Sequence, residues 1–249
     1  MEELIGLIPA AGKGVRLGLP YPKELFPIIH DNKYKPVSQY IFESMLEAEI
    51  KHVVLVINET KHQLIRYFGS GQRFNTNISY AVQESRNEND DSTSPGLADA
   101  LNSAYHLVKG KTVCFGMADT IISPKDLFKK MLEKSNKDDD LILGLFPTKT
   151  PEKFGMIKLD DNNKIVSIVD KPEKTELKFM WGVIIWRPKF TEFLKESVEI
   201  KGQSDFADIL NNAIKAKLNC KGIIFENGTY TDLGTFDELM KLYKKYHAP

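Results

Sequence analysis

Apolar positions along this chain follow two rhythms. Short unbroken runs recur at Leu4–Pro9 (LIGLIP), His52–Ile57 (HVVLVI), 78–83, 112–115 and 141–146. Each is too short for a buried helix and predicts a strand covered on both faces. Between them lie stretches of helical period. Residues 37–50 set Val37, Tyr40, Ile41, Met45 and Ala48 near one helix face, and 60–68 predicts a short helix ended by Gly69 and Gly71. Pro95 opens a helix at its favoured first-turn position, running as GLADALNSAYHLV, and 124–134 predicts another. Alternating strands and helices predict a parallel sheet covered on both faces. After residue 146 the rhythm changes. Gly155–Leu159 and 164–169 flank DDNN and predict a hairpin. Phe179–Trp186 and 220–225 predict strands, and 188–196, 205–217 and 236–246 predict helices. HDNKYKP (30–36) reads as a polar break, and 84–94 (ESRNENDDSTS) as a polar stretch without structure. The expected class is α/β: a Rossmann-like, mostly parallel sheet with helices on both faces, plus a smaller mixed β/α portion.

The 249 residues suffice for one large domain or two small ones. Lys plus Arg and Asp plus Glu number 34 each, so formal charge is zero. Nothing electrostatic calls for nucleic acid or an anionic membrane. No segment approaches the roughly 20 apolar residues of a membrane span. Cys114 and Cys220 sit far apart in apolar runs, which predicts two reduced core thiols in a cytoplasmic protein. The N-terminus has no basic start and no cleavable apolar region, so no secretory leader is expected. The five histidines show no ligand spacing.

The chemistry concentrates at the start. LIGLIP runs into AAGKGVRLG (10–18), and PKELFP (22–27) follows. After a buried strand, Gly12 and Gly14 give a loop on which backbone N–H groups can approach a phosphate. Arg16 and Lys23 add fixed positive charge, so the stretch suits a polyanion of the triphosphate type. There is no G-x-x-x-x-G-K-[ST] run, which excludes the P-loop. Gly18 comes one residue late for the dinucleotide fingerprint G-x-G-x-x-G.

IPAAGKGVRLG followed by PKELFPI resembles the signature of the sugar-1-phosphate nucleotidylyltransferases, the nucleotide-sugar pyrophosphorylases. PKELFP looks most like the uridylyl- and thymidylyl-transferring members. The usual Pro-x-Thr element between the halves is missing, since Leu19, Pro20 and Tyr21 alone separate Gly18 from Pro22. Later elements follow in the family's order. Gln83, then Gly96 in SPGLADAL, resemble the elements that contact the base, and a glutamine amide both donates and accepts. Asp119, beyond the fourth strand, and Asp232 in TYTDLGT resemble the two acidic metal ligands. Alone, each would read as a turn or helix cap. Phe154, Gly155 and Met156 resemble the element near the sugar ring. VDKP resembles the E-K-P element, in which the acid (here Asp170) holds sugar hydroxyls and Lys171 the sugar phosphate. Gly182 lies in the strand on the sugar side, beside Trp181.

The resemblance implies one nucleotidyltransferase domain over 1–249. Its nucleotide part would run to about 146, its sugar-phosphate part over 147–234, and a closing helix over 235–249. It implies Mg²⁺ held by Asp119 and Asp232, with nucleotide contacts from Ala10, Ala11, Gly12, Gly14, Gln83 and Gly96. Sugar contacts would come from Gly155, Asp170, Lys171 and Gly182, and catalytic charge from Arg16, Lys23 and Lys171. The implied reactants are a nucleoside triphosphate, UTP or dTTP first, and a sugar 1-phosphate, giving a nucleotide sugar and pyrophosphate. Two alternatives stay open: a cytidylyltransferase for an alcohol phosphate or acidic sugar, and a non-catalytic nucleotide-sugar-binding protein. The family often forms oligomers, so a homo-oligomer is a further option.

Overall fold

The structure is a computed structural model that describes residues 3–14, 17–30, 33–84, 96–202 and 205–247. Its centre is a nine-stranded sheet. Strand β1 (Leu4–Pro9) pairs in parallel with β4 (His52–Ile57) on one side and β6 (Thr112–Gly116) on the other. β5 (Asn77–Val82) extends the parallel run beyond β4. Side chains alternate between the faces: Ile5 and Leu7 enter one core, Ile8 the other, as do Val54 and Val56 against Val53 and Leu55. Both faces must then be covered, and they are. Helix α1 (Val37–Glu47) lays Ile41, Phe42 and Met45 on one face, joined by α5 (Leu127–Lys134) with Phe128 and Met131. The other face is covered by α3 (Leu97–Ser103), the short α4 (Tyr105–Val108), α6 (Pro188–Glu199) and α7 (Phe206–Lys215), through Leu101, Val108, Phe190 and Ile209.

The parallel run stops at β6, and here the expectation needs correction. The fifth predicted strand, β8 (Leu141–Pro147), is not the next parallel member. Strand β11 (Phe179–Trp186) inserts between them, antiparallel to both β6 and β8. Strand β12 (Cys220–Ile224) then pairs in parallel with β8. The predicted hairpin forms as β9 (Gly155–Leu159) and β10 (Ile165–Asp170), and β9 meets β11 at Met180 and Met156.

Three more departures follow from short elements. The polar break at 30–36 falls in a hairpin of β2 (Pro27–His30) and β3 (Lys33–Pro36). Residues 120–123 and 229–232 form a separate antiparallel ladder, β7 (Thr120–Ser123) with β13 (Thr229–Asp232). The helix expected over 60–68 narrows to α2 (His62–Phe68), closed by Gly69 in a left-handed turn at φ 58°. The closing helix α8 (Phe236–His247) covers a third core made by Leu17, Ile28, Val37, Leu233, Leu239 and Leu242. That core fastens the C-terminal helix to the segment carrying PKELFP.

Candidate active site

At the carboxyl end of β1 the chain enters the glycine loop, at a position where open α/β sheets bind ligands. The loop is anchored twice. Ala10 N–H donates to Val56 O at 2.7 Å, and Asn58 Nδ2 donates to Ala11 O at 2.7 Å. Asn58 is itself oriented, because its Oδ1 accepts from Thr60 N at 3.0 Å and Thr60 Oγ1 at 2.7 Å. A cleft of about 230 Å³ opens above, lined by Ala10, Ala11, Gly12, Lys23, Gln83, Gly96 and Asp119, with Lys13, Glu24, Asn58, Leu97 and Met117 among their neighbours. Seven residues singled out from separate stretches of sequence thus face one space.

Each enters for a local reason. Lys23 sits on a single 3₁₀ turn, Lys23–Leu25. Glu24 on the same turn points into the protein, where Lys61 Nζ donates to its Oε2 at 2.6 Å. Burial pushes the Glu24 carboxyl pKa up, against the pull of Lys61. Gln83 follows β5, with its backbone N–H on Ile57 O at 2.8 Å. Its side-chain Nε2 is buried without a partner among the described residues. Gly96 precedes α3, and Asp99 Oδ2 accepts its N–H at 2.9 Å, which caps the helix. A Cβ built on Gly12, which lines the cleft, would meet open space, with no atom beyond its chain neighbours within 4 Å.

Asp119 follows β6 and is 8 % exposed. Its Oδ2 accepts from Lys23 Nζ. The β7–β13 ladder brings in the second carboxylate: Asp232 is the register partner of Thr120, and Leu233 N–H donates to Asp119 O at 3.0 Å. Burial alone would lower the Lys23 ammonium's pKa. Asp119, by charge and hydrogen bond, then Glu24 and Asp232, outweigh that and hold it above its ordinary value. Asp119 and Asp232 are hard oxygen donors, and among the described residues no group of three His, Cys, Asp or Glu side chains gathers as a closed metal cage. Such a pair fits Mg²⁺, which takes one or two carboxylates and completes its shell with water and substrate phosphates.

The remaining candidates form a second group, outside the lining of this cleft. Asp170 is the register partner of Gly155 at the end of the β9–β10 hairpin. Lys171 follows at φ 42°, its N–H on Phe154 O at 3.0 Å and its exposed Nζ 3.3 Å from Asp170 Oδ2. Gly155 and Gly182 are required by packing. A Cβ at Gly155 would lie 2.4 Å from Trp181 Nε1, and one at Gly182 would lie 2.5 Å from Tyr230 Cδ2. Gly14 also lies outside the cleft lining, in the left-handed region at φ 68°. Arg16 lies outside the described residues, as does most of the polar stretch 84–94.

Tyr230 links the two groups. Its ring covers Gly182 and stands edge-on to Phe154, with centroids 5.8 Å apart. Burial, then the charges of Asp119 and Asp232, push its phenol pKa well above the ordinary value. Sequence reasoning left Tyr230, Asn58, Glu24 and Lys61 without roles. Glu24 was legible as an acid inside an otherwise apolar ELFPI run. Asn58 and Lys61 gave no signal.

A family profile for nucleotidyl transferases matches residues 5–248. The chain belongs to that family. It is 25% identical over 243 residues to a glucose-1-phosphate thymidylyltransferase of Neisseria meningitidis serogroup A, covering 94% of this chain and 79% of the relative. It is 27% identical over 221 residues to a glucose-1-phosphate thymidylyltransferase of Xanthomonas campestris pv. campestris, covering 84% and 69%. In fold it resembles a UDP-glucose pyrophosphorylase solved with UDP-glucose, at a TM-score of 0.80, 24% identity and 99% coverage of both chains. This nucleotidyltransferase is therefore an enzyme whose expected fold class is the observed one.

Proposed function

We propose that the enzyme joins a nucleoside triphosphate, UTP or dTTP, to a sugar 1-phosphate, giving a nucleotide sugar and pyrophosphate. The observation that carries this is the meeting of Lys23 and Asp119 at the rim of a cleft that also holds Gly12, Gln83 and Gly96. Glucose 1-phosphate, the acceptor in the relatives' names, is the first sugar to test.

A phosphate oxygen of the sugar 1-phosphate attacks the α-phosphorus. The new P–O bond forms as the α–β anhydride breaks, and pyrophosphate carries away the electron pair. The nucleophile is already ionised at neutral pH, so no general base is required. The barrier lies in bringing two anions into line, so catalysis is positioning plus charge neutralisation. The loop from Ala10 to Gly12 holds phosphate oxygens on its backbone, and Gln83 offers its free amide to the base. Lys23 neutralises the reacting phosphates, and Arg16 the leaving pyrophosphate. Lys171 holds the sugar phosphate, Asp170 a sugar hydroxyl. Asp119 and Asp232 would hold Mg²⁺, which supplies Lewis-acid charge to the phosphates when bound. Gly155 and Gly182 shape the sugar side by admitting Trp181 and Tyr230.

The test is a matrix of triphosphates against sugar 1-phosphates with Mg²⁺, read by pyrophosphate release. The expected result is release with UTP or dTTP and dependent on a sugar 1-phosphate. A matrix at background throughout overturns the proposal, and release confined to CTP moves it to a cytidylyltransferase.

A further inference from the structure

We propose that the Lys23 ammonium is a placeholder in the divalent-cation site, so that metal enters with the nucleotide and not before it. The inference rests on the reading of Asp119 and Asp232 as the metal carboxylates.

Lys23 Nζ sits on Asp119 Oδ2, and both side chains are largely withdrawn from water, 16% and 12% exposed. Asp232 is the register partner of Thr120, and the next residue, Leu233, donates its N–H to Asp119 O at 3.0 Å, which holds the second carboxylate beside the first. Asp119, just before β7, and Asp232, on β13, are like charges that repel unless positive charge lies nearby, and Lys23 supplies it at Asp119. The third acid beside Lys23, Glu24, is already matched by Lys61 at 2.6 Å. A divalent ion placed on Asp119 therefore competes with the ammonium for the carboxylate, and without a nucleotide gains few ligands in return. Arriving with a triphosphate, it brings phosphate oxygens that complete its shell. Those phosphates also give the displaced ammonium a new anionic partner.

The lysine is placed to make that exchange. Its Cγ and Cδ run 3.8 and 3.9 Å from the position a Cβ would take on Gly14, so the stem lies along the phosphate loop while the head turns to Asp119. Both Lys23 and Asp119 face the cleft. Rotation about the outer side-chain bonds moves the charge from carboxylate to loop with the backbone unchanged.

The experiment is Mn²⁺ binding to the full chain, followed by loss of the free-ion signal in electron paramagnetic resonance, without nucleotide and with UTP but no sugar phosphate. For the wild type, UTP should tighten Mn²⁺ binding by more than the affinity of Mn²⁺ for UTP alone explains. Lys23→Met should bind Mn²⁺ without nucleotide at least about tenfold more tightly than the wild type, because removing a like charge beside a ligand carboxylate favours the cation. Adding Asp119→Asn should abolish that gain. Equal nucleotide-free affinity in wild type and Lys23→Met overturns the proposal, and so does a gain that survives Asp119→Asn. If Lys23→Met does not fold, Lys23→Gln carries the same comparison. A protein that shows the gain but makes no nucleotide sugar contradicts the proposed reaction and leaves the placeholder standing. One that makes product without the gain does the reverse.

Discussion

Lys61 Nζ lies 2.6 Å from Glu24 Oε2, with 4% and 2% of the two side chains exposed. This ion pair ties the turn that carries Lys23 to the segment following β4. Removing one partner of a buried pair leaves an uncompensated charge, at a cost of about 3–5 kcal/mol. Lys61→Met should therefore destabilise the fold by that amount at neutral pH, measured by urea unfolding. The sign of the pH dependence follows from Glu24. Its pKa stands above the ordinary 4.5 because of burial, so the fold favours the neutral acid. Its contribution is full below 4.5 and is lost as pH rises through the raised value. Without Lys61 the loss should steepen, so the Lys61→Met defect should shrink on acidification. A defect independent of pH would show that Glu24 is not the group left bare.

Asn58 acts on the loop through Ala11 O. Asn58→Ala leaves a buried carbonyl without its donor, a cost of about 1–3 kcal/mol. The effect should appear mainly as a raised KM for the triphosphate, with the KM for the sugar phosphate nearly unchanged. Equal changes in both would show general loosening and not loop placement.

Gly182→Ala forces a methyl against the Tyr230 ring, and Gly155→Ala forces one against Trp181. Overpacking of this kind costs about 1–3 kcal/mol, so each variant should unfold at lower urea. Combining Gly182→Ala with Tyr230→Ala should restore part of the loss caused by the methyl. Additive losses in that double variant would show that the ring is not the obstacle.

How much of this was legible in the sequence varies with the length of the pattern. LIGLIP, HVVLVI and FMWGVIIW are long enough to declare themselves strands, and AAGKG with PKELFP marks the loop and turn that line one part of the cleft. The four-residue strands β2, β3, β7 and β13 have no period to read. The placing of β11 between β6 and β8 is a long-range pairing, to which no local pattern in the sequence points. Asp119 and Gln83 are legible through the family resemblance, since alone the one reads as a cap and the other as a plain strand end. Asn58 escaped because its bond reaches a carbonyl distant in sequence, and Lys61 because a lysine after a turn usually points to water. The joining of Asp232 to Asp119 depends on the β7–β13 ladder, which was itself unread.

Gln83 Nε2 is buried without a partner among the described residues, on the lining of the cleft to which the proposed reaction brings the base. A site built to hydrogen-bond its ligand discriminates strongly against one that lacks the matching group. Gln83→Leu should raise the KM for the preferred triphosphate and narrow the preference among UTP, dTTP and CTP. A variant with an unchanged preference would remove Gln83 from base recognition.

In the proposed reaction Lys23, Asp119 and Asp232 converge on one pair of reacting phosphates. Its most direct test is single-turnover transfer of α-labelled nucleotide to sugar 1-phosphate by the wild type and by Asp119→Asn and Asp232→Asn. Loss of one such stabilising group costs about 10²–10³ in rate, and each variant should fall by that factor while keeping the wild-type fold. Transfer within about threefold of wild type in both variants, below what loss of any such group allows, would contradict the account.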